Sequence, residues 1–401
     1  MNLIGDKSMK TIKNFELQDK KVIIRCDFNV PIKNGVILDD TRIKTSLKTI
    51  NYAIEKGAKV ILLSHLGRVK TEKDLKKYDL KPISDRLSEL LGKEVIFCAQ
   101  TRGRHLKSLV KKLVSKDVLL IQNTRYEDLN ENKESNNDTE LAKYWASLGD
   151  IFINDAFGTS HRTHASNNKI AKYLPSGIGF LMEEEIKRLN KITKNPDKPY
   201  IVILGGSKIS DKIALTEKLV QKADYLLIGG AMAFTFLKSA GFNIGLSLYE
   251  KDYVDYCMNL LSKYEGKIVL PTDIVVSKEI NSNDTKIKFI NEIEDDEIGF
   301  DVGPSTIKVF KHYIKDSKTV FYNGPVGCFE MKNFSKGTKE LFEILKENKG
   351  TVVIGGGDTI RAAISMGYKD NFNISTGGGA SLEYLESETL PALQVINEKN
   401  N

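Results

Sequence analysis

Residues 351–361, TVVIGGGDTIR, open on a β-branched apolar run, pass through three glycines, and reach Asp358 and Thr359 before a helical stretch. A strand that ends in glycines and feeds a helix leaves backbone N–H groups unpaired at the helix start, and that geometry holds phosphate. The carboxylate of Asp358 is out of place beside bare phosphate but fits if a divalent cation lies between them. Glycines at strand ends also serve close packing in parallel α/β proteins. The stretch alone leaves both readings open, and the rest of the chain decides.

Similar apolar runs recur, each reading as a buried parallel strand: VIIRCDF from Val22, VILLSH from Val60, VIFCA from Val95, VLLIQN from Val118 and IFINDAF from Ile151. A second series holds YIVILGG from Tyr200, YLLIGG from Tyr225, KIVLPTDIVV from Lys267, TVFYNG from Thr319 and TVVIGGG from Thr351. Segments with helical spacing separate them, such as DKIALTEKLVQKA from Asp211 and TKELFEILKEN from Thr338. Alternating strands and helices predict parallel sheets with helices on both faces. Ten strands are many for one such sheet, so two sheets are expected. The break falls where LPSG at 174–177 is followed by a charged helix from Glu183 and then by NPDKP at 195–199. The expected fold class is α/β, with two Rossmann-like domains joined by a hinge helix. The Asn/Asp/Lys-rich stretches 130–138 and 281–284 read as surface loops.

Composition fits this picture. The 401 residues are 41% hydrophobic and 28% charged, ordinary for a soluble globular protein. The length exceeds one core and suggests two domains. Sixty Lys and Arg against 53 Asp and Glu give +7, an excess spread along the chain without the basic blocks of a nucleic-acid arm. An anionic small substrate accounts for it, and so does a plain lysine-rich surface. Cys26, Cys98, Cys257 and Cys328 are far apart with no CxxC pair, so neither a zinc knuckle nor a disulfide framework is indicated and they read as buried free thiols. The opening MNLIGDKSMK lacks the apolar core of a secretory signal, and no run approaches the ~20 apolar residues of a membrane span. A cytoplasmic location is expected.

Ligands of open α/β sheets sit beyond the carboxyl ends of the strands. In the first half those ends deliver Asp27 and Asn29, then His65 and Arg68, then Arg125, and finally His161, Arg162 and His164, with Arg42 in the loop after DFNVP. Arginine forks match phosphate and carboxylate oxygens bidentately, and convergent like charges call for an anion between them. His161 and His164 have HxxH spacing without a third ligand nearby, so hydrogen-bonding or structural roles are expected; His105 and His312 read as surface residues. In the second half the ends deliver glycines and lysines: GGSKISDK at 205–212, IGGAMAF at 228–234, YNGPVGCFE at 322–330, GGGDT at 355–359 and STGGGAS at 375–381. No GxxxxGK[ST] loop, no HRD or DFG set and no GxGxxG after the first strand is present, which sets aside three large nucleotide-binding classes. An anion site and a nucleotide site in one chain describe a group-transfer enzyme.

In order along the chain, RCDFNVP (25–31), SHLGR (64–68), NDAFGTSHRTHAS (154–166), GGSKISDK, YNGPVGCFE, GGGDT and STGGGASLE resemble the phosphoglycerate kinase family. The resemblance implies reversible phosphoryl transfer between ATP and 3-phosphoglycerate with Mg²⁺ as cofactor, by a monomer with no nucleic-acid or membrane partner. It implies a phosphoglycerate-binding domain over 1–182, a hinge helix and linker over 183–199, a nucleotide-binding domain over 200–387, and a segment over 388–401 returning to the first domain. Carried over position by position, the phosphoglycerate contacts are Asp27, Phe28, Asn29, Arg42, His65, Leu66, Gly67, Arg68, Arg125 and Arg162. The nucleotide contacts are Gly205, Lys208, Lys212, Gly229, Gly299, Asn323, Glu330, Gly356, Gly357, Asp358 and Thr359, with Asp358 towards Mg²⁺. Cys26, Thr124 and Ser207 stand where the family usually has Val, Leu and Ala; Tyr322 replaces a tryptophan and Ala392 a glycine, and none of these removes a charged ligand.

The implied nucleophile is a carboxylate, deprotonated at neutral pH, so no general base is required. The task is to bring two polyanions together and to stabilise charge on the moving phosphoryl group. Arg42, Lys212 and the amides around Gly357 and Gly379 are expected to do so. A different α/β nucleotide enzyme, such as a dehydrogenase, is the alternative; the missing GxGxxG and the lysine pair of GGSKISDK weigh against it.

Overall fold

Runs that are apolar at every position, rather than every other one, need a strand covered on both faces. The computed structural model describes residues 9–375 and 377–400. Residues 1–8, which carry most of the leader reading, Thr376 of the STGGGAS run and Asn401 lie outside the described residues. The chain divides into two units: one runs up to Lys187 and includes the segment from Thr389, and the other is Arg188–Glu388. The division falls inside the helix Phe180–Thr193.

In the first unit the strands are β1 (Lys21–Arg25), a hairpin of β2 (Ile32–Lys33) and β3 (Val36–Ile37), then β4 (Lys59–Leu63), β5 (Ile96–Cys98), β6 (Val118–Ile121), β7 (Ile151–Asn154) and β8 (Ser176–Ile178). All but the hairpin form one parallel sheet in the order β5-β6-β4-β1-β7-β8. β1, β4, β6 and β7 are buried along almost their whole length, as their unbroken apolar runs require. Arg25 lies level with Leu63 on one side and Asn154 on the other, so three carboxyl ends open at one height. From β1 the chain turns first to β4 and later returns to β7 on the opposite flank. That reversal is where a crevice forms beyond the strand ends.

The second unit holds β9 (Tyr200–Leu204), β10 (Tyr225–Ile228), β11 (Ile268–Val269), β12 (Asp273–Ser277), β13 (Lys286–Phe289), β14 (Ile298–Val302), β15 (Thr319–Asn323), β16 (Thr351–Gly355) and β17 (Asn373–Ile374). Six of these make a parallel sheet ordered β11-β10-β9-β15-β16-β17, with its reversal between β9 and β15. The other three form a separate antiparallel sheet, β13-β12-β14. The stretch from Lys267, expected to be one parallel strand, is therefore two strands in two sheets. Pro271 lies between them, and a residue without an N–H cannot carry a ladder onward. β8 and β17 escaped the sequence reading because each is too short to show a period. The charged helix begins at Phe180, three residues before the expected Glu183.

Both units pack around apolar side chains from sheet and helices. In the first, Val22, Ile24, Val60, Leu62 and Ile153 meet Ile43 and Ile50 of the helix Thr41–Glu55. In the second, Tyr322 lies wholly buried in the equivalent cluster, edge-on to Phe342 with ring centroids 5.7 Å apart, so the tyrosine fills this core position. The segment from Thr389 is fixed to the first unit: Ala392 N–H donates to the Ser160 carbonyl at 3.1 Å, and Asn168 Nδ2 donates to the Pro391 carbonyl at 2.8 Å. All four cysteines are free, three of them buried.

Candidate active site

Beyond β1 the backbone turns outward, and Phe28 N–H donates to Ser64 Oγ at 2.9 Å. Asn29 Oδ1 accepts from Gly67 N–H at 2.9 Å, tying the turn after β1 to that after β4. Asn123, at the end of β6, accepts from the Leu66 and Arg125 amides at 3.1 and 3.0 Å. These side chains satisfy backbone groups that the strands no longer pair, and so fix the loops carrying the basic residues.

Arg42 reaches Asp27 from the first turn of its helix, Nη1 to Oδ2 at 2.7 Å, and remains 44% exposed. Arg125 is nearly buried and donates to Asp128 Oδ2 at 2.8 Å and to Ser135. Arg162 donates from Nε to His161 Nε2 at 3.2 Å; burial pushes its guanidinium down, and neighbouring Arg125 and Arg68 push the same way. His65 is held well below the usual histidine range by burial and then by Arg25, Arg125, Arg42 and Arg162. The expected phosphoglycerate ligands therefore converge, with Asn29 and Arg68 exposed at the rim. His164 is also pushed down to about 2 by burial and then by Arg125, Arg25, His65 and Arg162, which leaves it neutral in a structural position. His105 and His312 are exposed.

Two members of this cluster escaped the sequence reading. Arg25 is fully buried, and its signal was a charge inside an otherwise apolar strand. Glu134 is fully buried within 130–138, a stretch read as a surface loop. Its neighbours are polar, and only tertiary packing turns this one carboxylate inward.

In the second unit a cavity of about 210 Å³ opens at the reversal between β9 and β15, lined among others by Lys208, Lys212, Asn323, Gly356, Gly357, Asp358 and Thr359. Gly206, Ser207, Asp211, Gly324 and Leu382 complete its wall beside them, none of which was among the expected contacts. Gly356 has φ +85°, and a Cβ there would come within 2.7 Å of Asn323 Nδ2, so only glycine serves. The helix Gly357–Ser365 starts at this point, and its geometry leaves the amides of Gly357, Asp358 and Thr359 without intrahelical acceptors. Thr359 Oγ1 accepts from Gly324 N–H at 2.6 Å. Lys212 donates to Asn323 Oδ1, which leaves the buried Nδ2 of Asn323 as an unpaired donor on the cavity wall. An acceptor-rich ligand such as phosphate satisfies it. Gly205, Gly229 and Gly299 are buried and do not line this cavity: each packs closely on a neighbour, Gly229 on Val326, Gly299 on Phe234 and Gly205 on Pro325. Glu330 is exposed, with Arg361 Nη2 4.0 Å away, and Gly379 starts the helix Gly379–Ser387.

Burial lowers the Lys212 ammonium to about 8, against the pull of Asp358 and Asp211. Below that pH the group is charged and suits a polyphosphate; above it the free protein loses the charge. Affinity for ADP is therefore expected to fall as pH rises through about 8, and in Lys212→Arg to stay flat over the same interval. Calorimetric titration with ADP at stepped pH checks this, and identical curves for both proteins would reject it.

Residues 12–388 match the family model described as "Phosphoglycerate kinase". The phosphoglycerate kinase of Enterococcus faecalis is 54% identical over 395 residues, covering 97% of this chain and 99% of that one. The solved structure of phosphoglycerate kinase from Coxiella burnetii superposes with a TM-score of 0.90 at 37% identity, covering 98% of this chain and 100% of the other. That from Pyrococcus horikoshii OT3 gives 0.78 at 31% identity, with the same coverage.

Proposed function

The chain belongs to the phosphoglycerate kinase family, and from that premise we propose that the arginine cluster of the first unit receives phosphoglycerate while the cavity of the second receives the nucleotide phosphates. The reaction is reversible phosphoryl transfer between ATP and the carboxylate of 3-phosphoglycerate, giving ADP and 1,3-bisphosphoglycerate in glycolysis. The enzyme is thus a phosphotransferase whose acceptor is a carboxyl group. The observation that carries the site assignment is that Arg25, Arg42, Arg125 and Arg162 all bear on His65. Asp27 and Asp128 meet Arg42 and Arg125, and Glu134 meets Arg25 through Ser166, so three carboxylates against four arginines leave the cluster positive. A multiply anionic ligand is the missing partner.

Asp27, Asn29, Arg42, His65, Arg68, Arg125 and Arg162, with the backbone of Phe28, Leu66 and Gly67, hold the substrate and aim its carboxylate. That carboxylate needs no proton removed. Arg42 and Lys212 meet the charge on the transferring group, with the amides of Gly357 and Gly379 as further donors. Gly205, Gly229, Gly299 and Glu330 belong to the adenosine side, whereas Asn323, expected there as well, faces the phosphate cavity.

For Mg²⁺ the donor set fits a substrate-completed site. Among the described residues no three His, Cys, Asp or Glu side chains are grouped to hold an ion. Asp211 and Asp358 both line the cavity, and Asp358, exposed at the start of the helix Gly357–Ser365, is the carboxylate we assign to an ion otherwise held by phosphate oxygens and water. When bound, the ion neutralises and orients those oxygens.

We read the protein as a cytoplasmic monomer; among the described residues no helix is long and apolar enough to cross a membrane. A coupled assay supplying 3-phosphoglycerate, ATP and Mg²⁺ tests the reading. Turnover that needs all three supports it, and turnover independent of phosphoglycerate overturns it.

A further inference from the structure

Behind the arginine cluster lies a buried chain of hydrogen bonds that the reaction as described does not use. Glu134 Oε2 accepts from Ser166 N–H at 3.0 Å, and its Oε1 accepts from the Ser166 hydroxyl. Ser166 Oγ in turn accepts from Arg25 Nε at 2.8 Å. Arg25 Nη1 donates to the Cys26 carbonyl, and Nη2 lies 3.3 Å from His65 Nδ1. Glu134, Ser166 and Arg25 are fully buried and His65 is 6% exposed.

The direction of every bond in this chain is fixed by chemistry. A guanidinium has only donors, so the ring nitrogen facing it must be an acceptor. Asp27 Oδ1 lies 4.0 Å from the same nitrogen, too far to take a proton from it. His65 Nδ1 is thus bare, and the ring proton sits on Nε2. At the other end an ionised Glu134 can only accept, which turns the Ser166 hydroxyl proton towards it and its lone pair towards Arg25.

We infer that Glu134 and Ser166 are positioning residues that, acting through Arg25, hold His65 as the neutral tautomer with its proton on Nε2. The groups facing His65 are Arg25 and Asp27 from the end of β1, Arg42 from the helix Thr41–Glu55, Arg125 after β6, and Arg162 and His164 after β7. Only Asp27 among them favours a second ring proton. The site thereby keeps a hydrogen-bond donor to an anionic oxygen whose strength does not change with pH around neutrality. This use of the donor rests on the assignment of phosphoglycerate to the first unit; the tautomer itself does not.

Nitrogen-15 NMR of the full chain labelled at histidine tests the tautomer without any ligand. The expected spectrum shows His65 Nε2 protonated and Nδ1 bare, unchanged between about pH 6 and 8. A proton on Nδ1, or a titration in that interval, overturns the inference. Ser166→Ala, which deletes only the hydroxyl, is expected to give a mixture of tautomers and to raise KM for 3-phosphoglycerate about tenfold, with KM for ATP unchanged. Glu134→Gln, which keeps the shape and removes the charge, is expected to do the same more weakly. A wild-type tautomer retained in both variants rejects the positioning role. If wild-type His65 behaves as expected but the protein does not bind 3-phosphoglycerate, the substrate assignment fails and the hydrogen-bond chain stands.

Discussion

Arg42→Ala is expected to lower kcat a hundredfold or more while ADP affinity stays near that of the wild type. Arg42 projects from the first turn of its helix, half exposed, with Asp27 as its one strong partner. Removing half of a partly exposed ion pair costs the fold about 1 kcal/mol or less, so unfolding will not account for the loss. On the role proposed for Arg42, what disappears is a forked donor to charge that grows during transfer, and such donors contribute about 3–4 kcal/mol, or roughly a hundredfold to a thousandfold in rate. Arg42→Lys should recover only part of it, since an ammonium restores the charge but not the fork. Steady-state rates in the coupled assay, with calorimetry for ADP, decide the matter. Full kcat in the alanine variant would remove Arg42 from the catalytic set.

Asp358→Ala is expected to weaken Mg-ADP much more than 3-phosphoglycerate. The carboxylate stands at the mouth of the glycine-lined cavity, and its Oδ1 accepts from Arg361 Nη2 at 2.6 Å. Both side chains are well exposed, so this pair adds little to stability. Without Asp358 the cavity keeps Lys208, Lys212 and the helix-end amides, and metal-free ADP should bind nearly as before or slightly better. The metal-dependent part of the affinity should fall by at least the roughly 10- to 100-fold that loss of an outer-shell partner costs other metal sites. Titrations of ADP with and without Mg²⁺ separate the two contributions. An equal loss of ADP and 3-phosphoglycerate would point to general damage and count against a metal role for Asp358.

The extent to which the site was legible varied with how local its signals are. Asp27, His65, Arg125 and Arg162 follow strand ends, and parallel strands of matched register necessarily open those ends at one level; Arg42, expected in a loop, is instead carried by the first turn of the helix Thr41–Glu55. Lys212 and Asp358 stand beside glycines that only a close approach of backbone to ligand, or to backbone, requires. Arg25 was passed over because a strand buried on both faces is read by its apolar majority. Glu134 was placed in a solvated loop for the analogous reason. Each is buried only because the other, through Ser166, meets its charge, and pairing between residues so far apart in the chain leaves no periodic trace. The stretch from Lys267 misled in another way, since Pro271 breaks a run whose composition alone promises a single strand.

Alternating apolar runs and amphipathic helices were enough to determine two parallel α/β sheets, because burial on both faces and the length of each crossover are properties of the local sequence. The residue types at the strand ends likewise announced an anion cluster and a phosphate cradle. Tertiary structure alone decided which strand reverses the winding in each sheet, where the antiparallel strands separate from the parallel ones, and which buried carboxylates stand behind the arginines. These depend on contacts between residues far apart in the chain, whose energies arise only once the strands have found their order.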